Sequence, residues 1–105
     1  MQSVDVHRLC AWLQEVAPPL LLDVREDWEY AIAHLPGSML MPMGEVPARQ
    51  DTLPRDRPLV VYCHHGMRSA QVVAFLSGCG FTQAYNLAGG IDAWSAQIDP
   101  SLPRY

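Results

Sequence analysis

Four short apolar runs punctuate the chain: LLLDV (20–24), MLM (39–41), LVVY (59–62) and QAYNL (83–87). LLLDV is continuous rather than alternating, as a strand covered on both faces would be. LVVY is the clearest strand of the set. Between the runs the spacing turns helical. Ser3 is the predicted N-cap of a first helix with Val6, Leu9, Cys10 and Leu13 on one face, closed before Pro18 and Pro19. A short helix is expected over 27–33, followed by the turn HLPGS, and a weak one over 44–52. Ala70, Val73, Ala74 and Ser77 set a helix over 69–78, and GGIDAWSAQI (89–98) opens the last. Strands alternating with helices predict an α/β fold, a three-layer sandwich with a small, mostly parallel sheet and helices on both faces. The expectation is one domain over residues 1–98, with DPSLPRY (99–105) as an extended tail on the surface. In such sheets ligands sit outside the carboxyl ends of the strands, and residue 63 stands at that edge.

Composition narrows the chemistry. The chain has 105 residues, enough for one hydrophobic core, and half of them are hydrophobic. All seven cations are arginines against 11 acids, a net charge of −4. Without lysine there is no Schiff base and no P-loop, and without a basic stripe no nucleic-acid partner is expected. The N-terminus reads as an amphipathic helix rather than a leader, and no run approaches membrane-spanning length, so no membrane partner is expected. Three cysteines, Cys10, Cys63 and Cys79, have no paired spacing. That points away from a disulfide framework and toward a soluble protein of a reducing compartment, the cytoplasm.

The stretch CHHGMRSA (63–70) concentrates the reactive groups. Between Arg57 and Asp92 the one formally charged side chain is Arg68, which implies an anion nearby. Three features would depress the Cys63 thiol pKa. The loop feeds the N-terminus of the 69–78 helix, whose free amides and dipole favour negative charge. A tight turn at Gly66 can direct successive amides inward as a nest. Arg68, with any protonated fraction of His64 or His65, adds positive potential. A thiolate so placed is a competent nucleophile. Cys10 and Cys79 read as core, Cys79 at a helix C-terminus that disfavours a thiolate. His64 and His65 are adjacent and lack a second ligand cluster, so they read as shaping the loop rim, with no metal or other cofactor implied. Asp23 and Arg25 end a strand at the same edge, either as an exposed ion pair or as a pair bordering the site. Trp28, Phe75 and Trp94 read as packing, and the methionines of MLMPM as core filler.

These residues resemble the rhodanese family of sulfurtransferases over almost the whole chain, as a stand-alone single domain. LLDVREDWEYAIAHLPGS is similar to the family's early strand, acidic-aromatic helix and turn. VVYCHHGMRSAQVVAFLSGCGF resembles its active-site loop and following helix, and AYNLAGGIDAW its closing strand, Gly-Gly turn and helix. Ala33 stands where the family often has glycine. The resemblance implies Cys63 as the sulfur-accepting nucleophile. His64, His65, Gly66, Met67 and Ser69 would supply the amides around a persulfide, and Arg68 would position an anionic donor. The implied partners are a small-molecule sulfur donor such as thiosulfate and a thiophilic acceptor, with an acceptor protein as a further possibility, in a monomer or homodimer. The rival readings are a Cys-based phosphatase or arsenate reductase, and a non-catalytic binding module on the same fold. Cys63 and Arg68 enclose four residues, HHGM, whereas the phosphatases enclose five.

Overall fold

The computed structural model describes residues 1–105. Its strands are β1 (Gln2–Val4), β2 (Leu20–Asp23), β3 (Met39–Leu40), β4 (Leu59–Tyr62) and β5 (Ala84–Leu87). They form one wholly parallel sheet in the order β1-β5-β4-β2-β3. The helices are α1 (Val6–Trp12), α2 (Asp27–Ile32), α3 (Val46–Arg49), α4 (Met67–Gly78) and α5 (Gly90–Gln97), with short 3-10 turns at 43–45 and 50–52 on either side of α3.

The central strand β4 shows why the sheet is parallel and covered twice. All four of its residues are buried, and successive side chains enter opposite faces. Leu59 and Val61 join a cluster with Val72, Val73 and Leu76 of α4 and Val46 of α3. Val60 and Tyr62 join one with Val6 and Leu9 of α1 and Ile91 and Trp94 of α5. Each such side chain contributes roughly 1.5–3 kcal/mol relative to exposure. The alternation continues one residue past β4, so Cys63 belongs with Val61 on the α4 face.

Three expectations need correction. The sheet has a fifth strand: Gln2, Ser3 and Val4 pair with Tyr85, Asn86 and Leu87. Ser3 is therefore in β1, and Asp5 caps α1, its Oδ1 accepting from the Arg8 amide at 2.7 Å. Three residues are too few to show a period, and the sheet edge supplies what the pattern lacks. Second, aromatic packing describes Trp94, which is buried, but Trp28 is 61 % exposed and Phe75 38 %. Third, residues 99–105 do lie on the surface, none of them buried, but a turn at 100–101 bends them back instead of leaving them extended. The Ile98 and Asp99 amides bond the Trp94 carbonyl, Leu102 packs on the α1–α5 side of the core, and Tyr105 returns to the carboxyl edge of the sheet. No helix is long and apolar enough to cross a membrane.

Candidate active site

The chain leaves β4 at Cys63, crosses three loop residues and enters α4 at Met67. Gly66 makes that turn possible. Its φ of +107° lies where side chains are strained, and its amide points at the sulfur. The Cys63 Sγ accepts from the Gly66 amide at 3.1 Å and the Ser69 amide at 3.4 Å, and lies 3.3 Å from the Ser69 hydroxyl. Burial alone would raise the thiol pKa. The Ser69 hydroxyl and the amides of Ser69, Gly66 and His65 reverse this and bring it below its ordinary value. The three cysteines are free, and Cys63 alone is fully buried.

The nest is braced from behind. The Asn86 side chain, at the end of β5, donates to the Gly66 carbonyl at 3.2 Å and accepts from the Ser69 hydroxyl. The first amides of α5 reach the other half of the loop, Ile91 to the Cys63 carbonyl and Asp92 to the His64 carbonyl, both at 3.0 Å. That approach needs Gly90, which has φ +62° and where a Cβ would lie 2.6 Å from the Cys63 carbonyl oxygen.

The arginines are paired. Arg68 forms two parallel bonds with Glu29, Nη1 to Oε1 at 2.7 Å and Nη2 to Oε2 at 2.9 Å. Glu29 also accepts from the Glu26 amide at 3.0 Å and the Tyr105 hydroxyl at 2.6 Å. Arg68 and these other donors outweigh burial and lower the Glu29 carboxyl to about 2. Arg25 and Asp23 are wholly buried, not an exposed pair, and are joined by two side-chain bonds of 2.9 and 2.7 Å. Arg25 also donates to the Ala33 carbonyl and, at 2.8 Å, to the Tyr105 hydroxyl. Ala33 is extended, with φ −165°, so alanine serves there as well as glycine.

The remaining loop residues form a rim. Met67 is 77 % exposed. His64 is stacked between His65 at 4.0 Å and Tyr105 at 3.9 Å. Its buried Nε2 has no hydrogen-bond partner, and burial keeps its pKa below the ordinary histidine value. His64, His65 and Asp92 bring ligand-type atoms within 4.8 Å of one another, a convergence that adjacency of the two histidines does not reveal. Asp92 is already held by Arg104 through two 3.0 Å bonds.

Of the residues named from sequence, the structure gathers Cys63 to Ser69 into one turn running from the end of β4 into the first turn of α4, and buries Asp23 and Arg25 at and just beyond the end of the adjacent strand β2. Glu29, Asn86 and Tyr105 were missed. Glu29 lay three residues after Glu26, a helix-start signature, and Asn86 was a polar residue in an apolar strand, so both left a trace. Tyr105 left none.

A rhodanese-like domain model matches residues 6–97. The chain belongs to the rhodanese family. A solved rhodanese-like domain protein from Staphylococcus aureus superposes with a TM-score of 0.87 at 32 % identity, covering 100 % of this chain and 99 % of that one. A sulfurtransferase of Allochromatium vinosum is 36 % identical over 95 residues, covering 90 % of this rhodanese domain and 89 % of the relative. The probable adenylyltransferase/sulfurtransferase MoeZ of Mycobacterium tuberculosis is 38 % identical over 105 residues, and there the match spans only 27 % of the relative's length. The thiosulfate sulfurtransferase GlpE of Coxiella burnetii is 29 % identical, with 91 % of each chain covered.

Proposed function

We propose that this domain transfers sulfane sulfur through a persulfide on Cys63, with thiosulfate or a persulfide as donor and cyanide or a thiol as acceptor. The observation that carries the reading is the convergence of two amides on a single buried sulfur, with the Ser69 hydroxyl beside it, at the start of a 12-residue helix. A thiolate there attacks the outer sulfur of thiosulfate. The Sγ–S bond forms as the S–S bond of the donor breaks, and sulfite leaves with the electron pair. The acceptor then attacks the outer sulfur, and the Cys63 thiolate departs and is regenerated. In this reading the amides that face the sulfur, those of Gly66, Ser69 and His65, receive the negative charge of the persulfide. The cycle needs no group beyond the two substrates.

The pairing of Arg68 disfavours the phosphatase reading. A phosphoryl group needs a free guanidinium fork for its oxygens, and this fork is engaged by Glu29. The four-residue span between Cys63 and Arg68 supports the same choice, since one residue fewer shortens the contour by up to about 3.5 Å. Intact mass after incubation with thiosulfate tests the reading. The protein should gain one sulfur atom, lose it on adding cyanide with release of thiocyanate, and show no turnover of an aryl phosphate. An unchanged mass with measurable phosphate release would overturn it.

A further inference from the structure

The segment after α5 runs back to the loop that carries Cys63. Arg104 anchors it to Asp92, and Leu102 to the core beside α1 and α5. Tyr105 then does two separate things. Its ring lies flat on His64, 3.9 Å away and 7° from parallel, and meets Trp28 edge-to-face with the ring centres 6.0 Å apart. Its hydroxyl accepts a hydrogen bond from Arg25 and donates one to Glu29. Glu29 in turn fixes Arg68 in the first turn of α4. One side chain thus reaches both ends of the Cys63–Ser69 loop, His64 directly and Arg68 through Glu29.

We propose that Tyr105 is a positioning residue for the chemistry at Cys63: it holds the loop in the form in which the Gly66 and Ser69 amides converge on the sulfur. The inference rests on the sulfur-transfer reading for its activity arm alone. The loop has few other ties on this side. His65 is 3.8 Å from Asp92 and largely exposed, Met67 is exposed, and His64 Nε2 makes no bond. Without the ring, His64 loses the face that covers it. Without the hydroxyl, Glu29 loses a donor and Arg25 an acceptor, both groups buried. The amide geometry at Sγ is what lowers the thiol, so loosening the loop must reduce the thiolate fraction. Ser69 and the loop amides bond the sulfur, and Arg68 is the charged side chain coupled to it.

The test uses Tyr105→Phe, which keeps the ring, and Tyr105→Ala, which removes both functions. Iodoacetamide alkylation of Cys63 against pH, by mass spectrometry in a Cys10→Ser, Cys79→Ser background, reads the thiolate without requiring sulfur transfer. Thiosulfate loading is followed in parallel, with thermal melts to confirm folding. Tyr105→Ala should move the alkylation midpoint upward and slow loading at neutral pH about tenfold, a midpoint shift of about one pH unit. Tyr105→Phe should fall between, at about threefold. Should the alanine variant fail to fold, the phenylalanine variant carries the test. A phenylalanine variant indistinguishable from wild type, or losses explained by the unfolded fraction with no movement of the midpoint, would overturn the proposal. Wild-type protein that alkylates with a lowered midpoint yet never loads sulfur would instead remove the sulfur-transfer reading and leave the Tyr105 inference standing on its alkylation arm.

Discussion

Glu29→Gln is the most informative single change to the scaffold of the site. The carboxylate accepts from two Arg68 nitrogens, the Glu26 amide and the Tyr105 hydroxyl, and its side chain is 3 % exposed. Glutamine keeps the shape but turns one oxygen into a donor facing other donors, and it removes the charge. The carboxyl falls from its ordinary 4.5 to about 2, a displacement equivalent to about 3 kcal/mol. The Arg68 side chain is 35 % exposed, so water and salt screen part of that, and about 2 kcal/mol is the expected loss. A group whose folded pKa is depressed adds stability above its ordinary value and loses it as pH falls through the folded one. The Glu29 contribution is therefore complete near pH 7, starts to fall below about 4.5, and is less than half at about pH 3. Urea unfolding of wild type and variant at both pH values measures it, because the other carboxylates titrate alike in the two proteins and cancel. At neutral pH the variant should melt about 10 °C lower. An equal stability deficit at both pH values would show that the mispaired amide donor, not the lost charge, is what destabilises the variant.

Four further outcomes are expected. Cys63→Ser should abolish sulfur loading without altering the melt, while Cys10→Ser and Cys79→Ser retain it, as mass spectrometry after thiosulfate will read; loading in the Cys63 variant would end the assignment. Wild-type Cys63 should alkylate with a midpoint below the free-thiol value of about 8.5, and a midpoint at or above it would mean that burial outweighs the amides. Gly90→Ala should cost at least about 2 kcal/mol in a urea melt, from the positive φ and the collision with the Cys63 and His64 carbonyls; a neutral result would mean that α5 can withdraw from the loop. Asn86→Leu should fold but slow loading about tenfold, since the Gly66 carbonyl and Ser69 hydroxyl lose their brace; unchanged loading kinetics would refute that role.

The layers and the position of the candidate nucleophile were legible because they are properties of single runs. Four apolar runs alternating with helical spacing dictate a parallel sheet, and the residue after the most apolar strand must then lie at its ligand-binding edge. Strand β1 was not legible, since the pairing of Gln2, Ser3 and Val4 with β5 is a choice made by the partner strand. The role of Arg68 was legible only as a charge. Seen along the chain it is the one ion between Arg57 and Asp92, and nothing in that interval reveals that a carboxylate 39 residues away closes on it. Contacts between distant segments, such as Tyr105 on His64, depend on how the layers stack and leave no local pattern.

The pairing of both arginines changes where the site obtains its affinity for negative charge. Arg25 is matched by Asp23 and Arg68 by Glu29, so these four groups carry no net charge between them. His64 beside them is kept toward its neutral form by burial. What remains uncompensated is dipolar: the inward amides of the loop and the N-terminus of α4. Such a site suits one negative charge on one atom, because the Gly66 and Ser69 amides converge on a single sulfur. In the proposed cycle a thiolate, and the persulfide it would become, keep that demand constant, with the charge moving outward by one S–S bond. The paired arginines then act as rigid walls, and their removal should loosen the geometry of the nest before it alters its charge.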